Sequence, residues 1–484
     1  MRACAGYAFL AGAVYYGLLC SWIWYFGTVA IIPFVAACAA YWAGAGALIG
    51  WLRCAGRFAN PFVTAAVWVV ADAGVARFPL GGLSWGELGY AFHDVAPARA
   101  LASVGGLPLV TFAAVAINAL IADLIVSRAR ARRVGRALLG LAIVVILIVT
   151  ATVTRAQPHV THVMRVALVQ GNDKNRELTD AELNARYLPN SHFELAKQIR
   201  DPVDLIVFPE SSMDADPRTD PFIRGHLAAI ARQHDAWVLA NATVDAPNPN
   251  RRINLDVLFA PSGQIVGTYA KRHLVPYGEY VPFRGLIEGI VPAVNQVPRD
   301  FLRGRGPGLF DIAGTPVGTL ICFESAFGYQ VRPVVHDGAQ VLVVSTNNRS
   351  YRRSANSAQH LAIGQMRAAE TGRPVVQAAI SGISAVIDAD GVVHDRTDLF
   401  DRTVVETTVA ATSGQTLYVR WGEWVAILCV FVVLILVALT LLVRRRRNAL
   451  VESAEPQQTI SVDERLDGFL VNDEPILDRE GERA

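Results

Sequence analysis

The hydrophobic rhythm of the chain changes twice. Up to about residue 157 polar positions are sparse and apolar runs are long; from 158 to 416 short apolar runs alternate with polar, helix-length segments; a last apolar run then ends in an arginine block. A helix needs roughly 20 mostly apolar residues to cross a hydrocarbon core. Six stretches approach that length, at 7–26, 28–52, 60–76, 105–126, 137–153 and 421–443, the third being the shortest. The pattern therefore predicts a helical membrane region over 1–157, an outer domain over 158–416, a C-terminal membrane helix with a basic stop over 417–447, and a tail over 448–484. The first stretch runs into the second without a small-residue cleavage site, so it reads as an anchor and not as a cleaved leader.

Within 158–416 the runs VALVQG, DLIVFPE, AWVLANATV, VGTLICFES and QVLVVSTNN read as buried strands separated by helices, and Pro261-Ser262-Gly263 supplies a turn between LDVLFA and QIVGTYA. Strands alternating with helices predict a layered α/β domain.

Charge adds orientation. Arg53 and Arg57 follow the second apolar stretch, Arg128, Arg130, Arg132, Arg133 and Arg136 follow the fourth, and residues 444–447 follow the last. Basic residues collect on the cytoplasmic side, so these clusters predict six crossings, both termini in the cytoplasm and the outer domain on the extracytoplasmic face of the plasma membrane. The net charge of +2 hides these clusters and an acidic tail, and neither resembles a nucleic-acid groove binder, so no nucleic-acid partner is expected. The tail is poor in aromatic residues and reads as disordered.

Candidate chemistry begins with a cysteine. Cys4, Cys20, Cys38, Cys54 and Cys429 lie in or beside the apolar stretches, and only Cys322 belongs to the outer domain. A lone thiol in an oxidising compartment is a liability unless it is buried or needed. Three predicted strands end in residues that a core would not select: Glu210 after DLIVFP, Lys271 after GTYA, and Cys322 with Glu324 after GTLI. Strand ends are where open sheets place chemistry. Of 44 basic residues only Lys174, Lys197 and Lys271 are lysines, which suggests that a compact ammonium is required at 271. Each residue alone reads as an ordinary solvated side chain, and Cys322 alone as a core filler. His273 has no neighbouring His or Cys at ligand spacing, so neither a metal nor a cofactor is expected.

FPES around Glu210, YAKRHLVPYGEYVPFR around Lys271 and Glu279, and ICFES around Cys322 resemble the nitrilase (carbon–nitrogen hydrolase) superfamily. HLVPYGEYVP, the flanking membrane stretches, RFPLGGLSWGELGYA and HLAIGQMRAAETGRP are more specifically similar to the apolipoprotein N-acyltransferase family. The resemblance implies an α-β-β-α nitrilase-like sandwich inserted between transmembrane helices, and a Glu210-Lys271-Cys322 triad. In that reading Cys322 attacks a phospholipid ester, most simply of phosphatidylethanolamine, and the thioester is resolved by the α-amine of a diacylglyceryl apolipoprotein. Glu210 is the base and Lys271 the cation, with Glu279 holding the site in register and Glu324 and Phe323 shaping the acyl entrance; the plain alternative for Glu324 is a surface ion pair.

The chain departs from that family in three places. It begins near the family's third span, so the first two look absent and an even loss preserves the topology. Asn347-Asn348-Arg349-Ser350-Tyr351 stands where the family carries a Trp-Phe lid, and no tryptophan lies near Leu178. A membrane-anchored amidase that lets water resolve the thioester shares the same triad, and a non-catalytic membrane scaffold is a third reading. The apolar residues 285–287 and 290–292 read either as an interfacial dip or as core. The protein is expected to act as a monomer.

Overall fold

The computed structural model describes residues 1–55, 60–126, 131–155, 158–174, 178–287 and 297–454. The acidic tail beyond 454, Arg57, Arg128, Arg130 and residues 290–292 lie outside the described residues.

Among the described residues twelve strands build the outer domain: β1 (His159–Gln170), β2 (Leu205–Val207), β3 (Trp237–Asp245), β4 (Arg252–Phe259), β5 (Ile265–Ala270), β6 (Gly308–Ile312), β7 (Thr315–Ile321), β8 (Val341–Thr346), β9 (Val375–Ala379), β10 (Ala385–Ile387), β11 (Val393–His394) and β12 (Thr403–Ser413). They form two six-stranded sheets, ordered β12-β1-β2-β3-β4-β5 and β11-β10-β9-β8-β7-β6. Each sheet has a parallel centre, β1-β2-β3 in one and β7-β8-β9 in the other, with antiparallel edges. Parallel neighbours need crossovers, and the helices Pro221–His234 and Gly328–His336 are among those that supply them.

The alternation along β1 shows why the sheets pair. Val166 and Leu168 face the space between the sheets with Leu205, Val207, Val317, Val341 and Val343. Ala167 and Val169 face the opposite way, into a second core with Phe193, Leu227 and Ala231 from the covering helices. A third core lies behind the other sheet, where Leu320, Leu342 and Val344 meet Val331, Val334 and Leu361. Burying each such side chain is worth about 1.5–3 kcal/mol, so both faces of both sheets must be covered. The result is the expected α-β-β-α sandwich between apolar helices.

In the membrane half, four helices among the described residues are long and apolar enough to cross a bilayer: Thr28–Ala55, Ala96–Val126, Ala131–Thr154 and Trp424–Asn448. Two further apolar helices complete the set of predicted stretches, Arg2–Leu19 and the shorter Pro61–Val75. Asn60 starts the latter by accepting the Val63 N–H at 3.0 Å, with Pro61 at the first helical position. Arg2–Leu19 lies tightly against Thr28–Ala55: a Cβ added at Gly46 would fall 2.5 Å from the Cys4 carbonyl oxygen. Small residues that let backbones approach are how helices associate where no hydrophobic drive exists between them. The helix Ala96–Val126 begins nine residues before the apolar stretch at 105 and breaks at Gly106, whose φ of 70° an L-residue adopts only with strain.

Candidate active site

Glu210, Lys271 and Glu279 arrive from different elements and meet. Glu210 follows β2, Lys271 follows β5, and Glu279 lies in the loop beyond it. The Lys271 ammonium donates to Glu210 Oε1 at 3.1 Å and to Glu279 Oε1 at 2.9 Å, with its side chain 2 % exposed. The Lys271 backbone N–H donates to the Asn254 carbonyl at 2.9 Å, which ties the lysine to β4. Burial alone would discharge the ammonium, but the charges of Glu210 and Glu279 hold its pKa well above the usual lysine value.

Three groups that the sequence reading missed complete the carboxylates. The Asn254 amide donates to Glu210 Oε1 at 2.7 Å and to Glu279 Oε1 at 3.1 Å. The Asn347 N–H donates to Glu210 Oε2 at 2.9 Å, and the Val275 N–H to Glu279 Oε2 at 2.8 Å. Asn254 was detectable in principle, since RINLDVLF places an amide and a carboxylate in an otherwise apolar strand. Backbone donors leave no trace in sequence.

Cys322 sits where β7 turns into the short helix Cys322–Ala326, at a positive φ of 52°. A non-glycine residue there costs about 1–3 kcal/mol, a strain that the surrounding structure must hold. It is held: the Ser325 hydroxyl donates to the Cys322 carbonyl at 2.8 Å and the Ile321 N–H donates to Glu324 Oε2 at 2.9 Å. Burial and the Glu210 charge push the thiol up to about 12, against the opposing influence of Lys271, the Thr346 hydroxyl and the Asn347 N–H. Asn347 thus donates beside both the sulfur and Glu210, which places carboxylate and thiol next to each other. The arrangement holds a neutral thiol near a carboxylate and a fixed cation.

Glu324 departs from both sequence-based expectations. It is fully buried, and so is neither half of a surface ion pair nor an entrance residue. Its carboxylate accepts from the Tyr269 hydroxyl at 2.8 Å, the Arg272 N–H at 2.6 Å and the His273 N–H at 3.1 Å, besides Ile321. It clamps the loop after Lys271 to the turn that carries Cys322. The residues around Glu324 could not reveal that the Tyr269 hydroxyl and two backbone N–H groups more than fifty positions away meet it.

Phe323 faces the membrane half. Its ring lies 6.1 Å from Trp85 and 4.9 Å from Phe327, within the core of the membrane helices. The Tyr90 hydroxyl donates to the Ala326 carbonyl at 2.9 Å. The helix Asn356–Thr371 makes further contacts: Trp22 and Trp85 donate to Gln359 Oε1 at 3.0 and 2.8 Å, while Ile363 and Met366 join the membrane core. Tyr351, in the segment 347–351, packs edge-on against Trp22 at 4.9 Å, and burial raises the pKa of its phenol, which lies near Lys271 and Glu210. An apolar groove of about 770 Å³ opens beside Trp22, lined also by Phe9, Ala13, Ile31 and Val35 among others.

Two packed sheets and a cysteine beside paired carboxylates and a lysine define a carbon–nitrogen hydrolase domain, and the family model of that description matches residues 165–418. A second model, the apolipoprotein N-acyltransferase N-terminal domain, matches residues 1–120. The chain belongs to the apolipoprotein N-acyltransferase family. The relative from Methylococcus capsulatus is 30% identical over 465 residues, covering 92% of this chain and 88% of its own. That from Azotobacter vinelandii is 30% identical over 385 residues, covering 77% and 72%. Among solved structures, an amidase from Nesterenkonia sp. is 19% identical with a TM-score of 0.38, covering 55% of this chain and 94% of its own.

Proposed function

We infer that the protein moves a fatty acyl chain from a membrane phospholipid, through a thioester on Cys322, to the N-terminal amine of a lipid-modified apolipoprotein. Family membership supports the transfer, and one observation supports the lipid substrates: the turn that carries Cys322 is packed into the membrane helices through Phe323 and Ala326. A soluble amidase has no use for that contact.

Glu210 takes the thiol proton as sulfur attacks the ester carbonyl, because a thiol held near 12 is protonated at neutral pH and needs a base in the same step. Lys271 stays charged throughout and, with the N–H of Phe323, meets the developing oxyanion; one such donor is worth about 3 kcal/mol. Collapse expels the lysophospholipid, which takes the proton back from Glu210. The acceptor amine then attacks the thioester, loses its proton to Glu210 and leaves an amide, and Cys322 returns as a thiol. Glu279 and Asn254 hold Lys271 and Glu210 in place.

The groove beside Arg2–Leu19 holds the donor chain, since it runs from lipid-exposed side chains such as Ile32 to Trp22, whose ring packs on Tyr351. Phosphatidylethanolamine is the donor, the protein works as a monomer, and the outer domain faces away from the cytoplasm with both termini inside, as the arginines of 132–136 and 444–447 favour.

The test is intact-protein mass spectrometry after incubation with labelled phosphatidylethanolamine. A hydroxylamine-sensitive acyl adduct on Cys322 that chases onto a diacylglyceryl peptide is expected. Release of free fatty acid without transfer would favour an anchored amidase, and full transfer by C322S would remove the Cys322 thioester from the mechanism.

A further inference from the structure

Cys322 has a second set of polar neighbours that the chemistry of Glu210 and Lys271 does not use. Thr346 closes β8, and its hydroxyl lies 3.3 Å from Cys322 Sγ. The same oxygen lies 3.1 Å from His360 Nδ1 and 3.2 Å from Asn348 Oδ1. His360 reaches onward, with Nε2 2.9 Å from Ser325 Oγ, the hydroxyl that donates to the Cys322 carbonyl. Thr346, Ser325, Asn348 and His360 are all buried. The ring of hydrogen bonds therefore starts at the sulfur of one residue and ends at its carbonyl.

Counting hydrogens orients the ring. Ser325 has one hydrogen and gives it to the Cys322 carbonyl, so its oxygen accepts from His360, whose hydrogen must sit on Nε2. Burial keeps this imidazole neutral, with its pKa pushed down to about 4. Nδ1 is then a lone pair. The Asn348 amide faces it at 3.3 Å and gives its other hydrogen to Asn356 Oδ1 at 2.8 Å. With Asn348 available to fill Nδ1, the single Thr346 hydrogen can turn to the sulfur.

We propose that Thr346 donates a hydrogen bond to the sulfur of Cys322 as negative charge forms there, and that His360, whose Nδ1 otherwise accepts that hydrogen, is a positioning residue that holds the Thr346 hydroxyl beside the sulfur. This rests on the reading of Cys322 as the nucleophile. No proton is transferred along the ring: Glu210 takes the thiol proton, the Thr346 hydroxyl rotates from Nδ1 of His360 to Sγ, and the Asn348 amide takes its place at Nδ1. The sulfur thus gains a neutral donor at the moment of attack, and loses it again when the thioester removes the charge. The charged and titratable groups facing Cys322 are Glu210, Lys271 and Tyr351, and Lys271 also faces His360. The test leaves all of them in place.

The full-length protein in detergent is compared with T346V, T346S and H360Q. Two readouts are followed at Cys322 by peptide mass spectrometry: the pH profile of alkylation by iodoacetamide, and the rate of thioester formation from phosphatidylethanolamine. T346V keeps the branched shape without the donor, and is expected to move the profile up by about one pH unit and to slow thioester formation about tenfold, the size of one hydrogen bond to a charged group. T346S restores the donor and is expected to stay within about threefold of the parent, which also shows that the site folds. H360Q is expected to shift the profile in the direction of T346V. A T346V protein with the parent's profile and thioester rate overturns the proposal, and an unshifted H360Q removes His360 from it. If the parent protein itself forms no adduct on Cys322, the proposed function fails, while the alkylation profiles still decide the role of Thr346.

Discussion

The N–H of Leu107 donates to Glu370 Oε1 at 2.8 Å, so a carboxylate of the outer domain caps a membrane helix at its break. The break occurs at Gly106, where a Cβ would fall 2.6 Å from the Tyr418 ring. Glu370 is in turn paired with Arg367, whose guanidinium donates to the Tyr90 hydroxyl at 2.7 Å. Helix, carboxylate, guanidinium and phenol form a buried latch that fixes the helix Asn356–Thr371 against the broken helix Ala96–Val126.

Removing one member of that latch strands a charge. Glu370→Ala is expected to destabilise the protein by about 3–5 kcal/mol, because Arg367 is left buried without its partner. Thermal unfolding in detergent measures the loss. The double variant with Arg367→Met is expected to recover much of it, which a purely steric defect at 370 would not.

The cysteine carries a pH signature. With its folded value near 12, Cys322 remains a thiol through the physiological range, and its alkylation is expected to rise about tenfold per pH unit from pH 7 to 10 without levelling. A group raised on folding contributes stability below its unfolded value near 9 and loses that contribution as pH climbs towards 12. A plateau of alkylation near pH 7 would show a preformed thiolate in place of base-assisted attack.

Glu210 and Lys271 act on that thiol with opposite signs. Glu210→Gln removes a charge that raises the thiol pKa, and Lys271→Met removes one that lowers it. Alkylation of Cys322 at fixed pH is therefore expected to quicken in the first and slow in the second, while thioester formation from phospholipid falls by at least about a hundredfold in both.

Glu324 is expected to behave as a clamp. Glu324→Ala leaves the Ile321, Arg272 and His273 N–H groups and the Tyr269 hydroxyl without their acceptor, at about 1–3 kcal/mol for each that stays buried. Hydrogen exchange is expected to show lost protection at residues 271–273 and 321–324 together. Unchanged protection beside lost activity would return Glu324 to a direct role with substrate.

The groove offers a test by filling. Ala13→Phe places a ring in the apolar channel, and is expected to lower the rate with long-chain phospholipids several-fold more than with short-chain ones. Equal loss with both chain lengths would place the donor chain elsewhere.

The main elements were legible because their signals are local. Runs such as DLIVFPE, AWVLANATV and QVLVVSTNN alternate or concentrate apolar residues over strand length, and each became a strand. β12 was not singled out, since TVVETTVAATS carries threonines and a glutamate among its valines; it earns its place by pairing antiparallel along β1 from Gln170 to His159. The polar stretch between VALVQG and DLIVFPE folds not as one helix but as two, Asp180–Asn184 and Tyr187–Ala196, with Arg186 left-handed between them at φ 52°. A single-residue change of backbone region leaves no periodic signature.

By itself the sequence determined the kinds of element, the division into membrane and outer parts, and the types of reactive side chain, because periodicity, apolar length and residue chemistry are properties of neighbours along the chain. Only the tertiary structure decided that Asn254 and the Asn347 N–H hold Glu210, that Glu324 is a buried clamp, that His360 and Thr346 stand behind the sulfur, and that Glu370 caps a broken helix. Those relations join residues tens to hundreds of positions apart, often through backbone groups, and a hydrogen bond depends on distance in space and not on distance in sequence.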